Sequence, residues 1–138
     1  MRSQDPYCDW VRVTFRVFSE SLDPDEITNT TGIVPTSAWK VGERRPFKKP
    51  APLSKQGHWH VMSHRTAKST NIDDHVEEIL QRLEGHADYF AALAEQHRVD
   101  LFIGWSGDTN RGGHPSVSPE LARSIEAFGA KIDFDIYD

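Results

Sequence analysis

Three histidines, His58, His60 and His64, sit within the seven residues HWHVMSH. On an extended chain alternate side chains share a face, so these three point one way while Trp59 and Val61 point the other. Imidazoles at i and i+2, here His58 and His60, can hold an ion such as Zn²⁺ or Ni²⁺. No cysteine or carboxylate stands at ligand spacing beside them. The expected role is therefore a polar strand face with Trp59 and Val61 in the core, and neither a metal nor another cofactor is predicted.

Other candidate chemistry is weaker. Gly104-Trp105-Ser106-Gly107 begins like a nucleophile elbow, but Asp108 stands where the second glycine belongs and the loop GDTNRGGHP follows where a helix is required. Gly107, Gly112 and Gly113 around Arg111 resemble an anion cradle, yet no Gly-Lys-Ser/Thr follows, and a plain turn is expected. Arg44, Arg45, Lys48 and Lys49, interleaved with Trp39 and Phe47, have the composition of a contact for nucleic acid or for an acidic protein. Asp133 and Asp135 share one strand face, and so do Arg12 and Arg16. If those strands are neighbours, cross-strand ion pairs on an open face follow.

The elements that position these residues are well punctuated. Val11, Val13, Phe15 and Val17 alternate with Arg12, Thr14 and Arg16, a strand with one buried face. Asp23, Pro24 and Glu26 have the spacing of an N-cap, a first helical residue and a capping box, with Leu22 and Ile27 as a hydrophobic staple. Gly32 ends that helix, with Ile33 placed for a Schellman motif. A Pro-rich irregular basic loop spans about 34–57, with a short strand near 37–41, and 58–64 is the second strand. Ile72, Val76, Ile79, Leu80 and Leu83 recur at helical spacing after an Asn71 cap. Gly85 breaks this helix, and a further helical segment carries Tyr89, Phe90 and Leu93. The most apolar strand covers 101–106, and Val117 is placed at the end of another short strand. The last helix starts at Ser118-Pro119 and ends at Gly129. Ile132, Phe134 and Ile136 then alternate with Asp133, Asp135 and Tyr137 in a final strand whose apolar side is expected in the core.

The predicted class is α+β: one domain, a two-layer sandwich with helices on one face of a largely antiparallel, locally mixed sheet. A strand–helix–strand unit recurs weakly in the two halves. Four Trp, seven Phe and three Tyr argue against disorder, and a net charge of -5 argues against nucleic acid as a general partner. The lone Cys8 fits a reducing compartment. With no signal-like opening and no apolar run of spanning length, a cytoplasmic chain without membrane contact is expected.

In order and spacing these pieces resemble the bacterial family known as domain of unknown function 4279. The resemblance rests on the opening strand followed by LDPDEIT, then GIVPT, Gly42-Glu43, Gly57 and Trp59, and at the end Gly129 and FDIY. It covers nearly the whole chain and implies no activity and no catalytic residues. The functional expectation is a non-enzymatic binding module, of immunity or accessory type, whose partner is another protein. Its contact residues are expected to be Trp39, Arg44, Arg45, Phe47, Lys48 and Lys49, with Arg12 and Arg16 on the open sheet face. The alternatives are a small metal protein or enzyme built on His58 and His60, and nucleic-acid binding through residues 44–49.

Overall fold

A computed structural model describes residues 2–45, 52–64 and 68–138. Phe47, Lys48 and Lys49 lie outside the described residues. Five strands and four helices run in the order β1 (Cys8–Ser19), α1 (Pro24–Thr31), β2 (Ser37–Trp39), β3 (Gly57–Met62), α2 (Ile72–Arg82), α3 (Ala87–Leu93), β4 (Arg98–Gly107), α4 (Pro119–Glu126) and β5 (Lys131–Tyr137). Val117 falls in irregular chain, so no additional strand forms there.

The sheet order is β2-β3-β1-β4-β5. All pairs are antiparallel except β4 with β5, which is parallel because α4 carries the chain back across the sheet. The two halves share one directional feature. β1 and β2 also run the same way, with β3 inserted between them. The class is α+β with a mixed sheet, as the sequence predicts.

The apolar phase of each inner strand faces the helices. Val13, Phe15, Val17, Trp59, Val61, Leu101, Ile103 and Trp105 are fully buried there, against Ile27, Val76, Ile79, Leu83, Phe90 and Ile125. Phe15 meets Phe90 edge-on at 5.0 Å, a geometry that matches ring edge to ring face. One buried polar link pins α2 to the end of β3. His75 places Nδ1 2.7 Å from Ser63 Oγ and Nε2 2.8 Å from the Ser69 carbonyl oxygen, so both ring nitrogens are satisfied without water.

Three expectations are corrected. Phe134 and Ile136 remain 43% and 39% exposed. They pair with Ile103 and Trp105 on the helix side, but β5 is the edge strand and the helix layer does not extend over them. At α1 the Asp23 carboxylate accepts from the backbone N–H of Asp25 rather than that of Glu26. Gly32, at φ 73°, donates its N–H to the Thr28 carbonyl oxygen at 2.8 Å. That single bond is the αL ending, not the two-bond Schellman form.

Candidate functional site: the open face of the sheet

Every second residue of β1, β3 and β4 points away from the helices. Register places Phe18 between His58 and Arg98, and Arg16 between His60 and Asp100. Among the described residues no helix covers this side, and its side chains stack on each other as a ladder of rings and guanidinium groups.

The ladder begins at Arg45, whose guanidinium carbon lies 5.5 Å from the Trp39 ring centre. The Trp39 ring stacks on His58 at 4.3 Å and 20°, and His58 stacks on Phe18 at 5.0 Å and 4°. Phe18 is then flanked by Arg16 at 5.1 Å and Arg98 at 5.6 Å, and Arg16 also lies 4.5 Å from the Phe102 ring. Each such contact combines apolar burial with attraction between the cation and the ring face.

Trp39 is only 5% exposed although it belongs to an edge strand. The described ends of the basic loop account for this. Gly42 N–H donates to the Ser54 carbonyl oxygen, Ser54 N–H to that of Glu43, and Arg44 bridges to Leu53. Ser54 Oγ then accepts the indole N–H at 3.1 Å. The base of the loop is thus closed over Trp39, and it carries Arg45 onto the far side of the ring.

Beneath the ladder lies a charge pair. Asp100 is fully buried and accepts from Arg16 through Nε at 2.8 Å and Nη2 at 2.7 Å, a fork-to-fork geometry. Arg98 reaches the same carboxylate at 3.4 Å and also pairs with Asp133 at 2.8 Å. The expected pairing of Arg12 and Arg16 with Asp133 and Asp135 does not occur, because β4 lies between β1 and β5 and supplies Asp100 instead. Arg12 sits elsewhere on the face, 4.9 Å from the Trp10 ring, which in turn contacts Tyr137 at 5.5 Å. Gly104 makes room for this: a Cβ there would come within 3.2 Å of the Trp10 ring. Next to this group a cleft of about 390 Å³ is lined by Trp10, Arg12, Thr36, Met62, Ser63 and His64, among others.

His58 Nδ1 and His60 Nε2 are 3.1 Å apart. Burial pushes the His58 ring down to about pH 4, helped by the nearby Arg45 and Arg16 charges. Burial also takes His60 down to about 3, with His58, Arg16 and Arg45 adding to the effect. Both rings are therefore neutral near pH 7, and one donates to the other. His64 does not join them. β3 ends at Met62, and His64 turns outward beside Arg82 and Glu78. Among the described residues no group of three or more His, Cys, Asp or Glu side chains is placed to hold a metal ion.

The structure thus brings Trp39, Arg45, Arg16, His58 and His60 into one ladder and leaves Arg12 in a second cluster. Arg44 is exposed at the loop base. Phe18, Arg98, Asp100, Phe102 and Trp10 complete the surface, and no motif in the sequence marks them. Their signal is the polar phase of β1 and β4, where Asp100 and Phe102 lie opposite Arg16 and Thr14.

A two-layer α+β sandwich with one sheet face lined by aromatic rings and arginines defines the class. Residues 9–138 match the family described as domain of unknown function 4279, and the chain belongs to that family. No curated protein and no solved structure matches the chain. Among the described residues no helix is long and apolar enough to cross a membrane.

Proposed function

We propose that the chain is a non-enzymatic binding module, cytoplasmic and of bacterial immunity or accessory type, that docks an acidic segment of a partner protein on its open sheet face. The observation carrying this reading is the ladder Arg45–Trp39–His58–Phe18–Arg16. Arginine is among the residue types that dominate binding hot spots, and stacking on the buried Trp39 ring holds Arg45 in place, so that little side-chain freedom is lost on contact. The acidic partner follows from charge. Arg12 and Arg45 are both exposed and lie on Trp rings, and neither forms an ion pair with a described residue. A carboxylate-bearing segment would supply the missing partners.

Affinity capture from host extract, wild type against Arg12→Glu with Arg45→Glu, tests this. A protein retained by wild type, lost by the variant at unchanged melting temperature and released by salt, is the expected result. Equal retention by both would move the interface off this face.

A further inference from the structure

β5 is an edge strand of seven residues, and among the described residues no strand pairs with its outer side. We propose that this edge binds an extended segment of another protein in which basic and apolar side chains alternate, adding it to the sheet as a further strand. This goes beyond the docking reading on the open face and does not depend on it.

The first ground is the backbone. A strand with a neighbour on one side only leaves alternate N–H and C=O groups unpaired on the other, a template for a second chain. The two edges of this sheet differ. β2 has three residues, and the chain after it folds at once into the loop base that closes over Trp39. β5 carries no proline, and its register with β4 runs unbroken from Lys131 to Tyr137. A long, regular edge of this kind is what strand addition uses, with main-chain hydrogen bonds giving affinity and alternate side chains giving specificity.

The second ground is the helix side of β5. Phe134 and Ile136 are exposed there, and Ile132 is half-buried against the core. Apolar side chains at alternate positions of an added strand would lie beside Phe134 and Ile136 and take both out of water.

The third ground is charge on the other side. Asp133 pairs with Arg98, while Asp135 accepts from the Tyr137 hydroxyl and forms no ion pair with a described residue. A lysine or arginine opposite each carboxylate completes a cross-strand pair. The same carboxylates disfavour a second copy as the occupant. In a two-fold antiparallel pairing centred on Phe134, Asp133 faces the copy's Asp135. Shifting that register one step either way sets Asp133 against Asp133, or Asp135 against Asp135. Like charges directly opposite are destabilising, and an acidic segment meets the same repulsion. The two aspartates thus guard the edge against self-association and select a basic strand.

The probe is an acetylated, amidated peptide of alternating lysine and valine, as long as β5, titrated into the isotope-labelled chain. Backbone amide resonances of Lys131–Tyr137 should shift, with nuclear Overhauser contacts from the peptide valines to Phe134 and Ile136. Binding should weaken roughly fivefold in Asp135→Lys and in Phe134→Ser, with the rest of the spectrum unmoved. The same peptide N-methylated at every residue keeps its charges, loses its backbone donors and should not bind. A glutamate–valine peptide should not bind either. Equal binding of the N-methylated peptide would reduce the effect to bulk attraction toward a chain of net charge -5 and overturn the proposal. So would unmoved β5 resonances at millimolar peptide, shifts confined to residues outside β5, or preference for the glutamate peptide. β5 resonances that broaden with chain concentration alone would overturn it in favour of self-pairing.

Discussion

Arg16 and Arg45 lie on the same sheet face but do different work. Arg16 neutralises Asp100, which is fully buried, whereas Arg45 rests on Trp39 with its charge available. Arg16→Met removes both short hydrogen bonds to the buried Asp100 and leaves it only the longer contact to Arg98 at 3.4 Å, so it should destabilise the chain by about 3 kcal/mol. Arg16→Met combined with Asp100→Leu should recover most of that loss, and urea denaturation of the two variants measures both. The histidines give a pH signature. Their folded-state values, about 4 for His58 and about 3 for His60, lie below the ordinary 6.5, so the unfolded chain binds protons more readily. Their contribution is complete above about pH 6.5 and is lost as pH falls through 6.5 toward 4. Because His58 is half-exposed and screened, the loss should be on the order of 1–2 kcal/mol. Denaturant midpoints between pH 6.5 and 4.5 should fall less steeply in His60→Gln than in wild type.

At the scale of elements, much was legible in the sequence. Strand alternation in Val11–Val17, helical spacing in Ile72–Leu83 and the Asp23, Asn71 and Pro119 starts locate most of the elements, because each signal is local to a few residues. Asp23→Ala should cost about 0.5–2 kcal/mol, read as a lower denaturant midpoint, since the N–H of Asp25 then loses its acceptor. What was not legible is strand order. Nothing local in β5 says that it pairs with β4 in parallel or that it ends as an edge, so Phe134 was expected inside. For the same reason the partner of Arg16 lies on β4 rather than on β5. The basic loop marks Trp39 as a candidate, but its burial depends on Ser54, fifteen residues further on.

Across the whole molecule, four helices pack on one side of the sheet, and among the described residues no helix packs on the other. Polar alternation in β1 predicts that open side, and the structure adds that it is built of stacked aromatic rings and arginines rather than mobile surface charges. Charge reversal at Arg12 and Arg45 should leave the melting temperature within about 2 °C of wild type, because exposed substitutions away from buried networks change stability little. The account stands or falls on where a partner touches. A photo-crosslinking residue placed in turn at Phe102 and Met62 on the open face, and at Glu95 and Glu126 on the helix side, can be activated in host cells and its adducts mapped by mass spectrometry. The account predicts one recurrent protein adduct at the two open-face positions and none at the helix-side positions. The same adduct appearing only from Glu95 or Glu126 would contradict it.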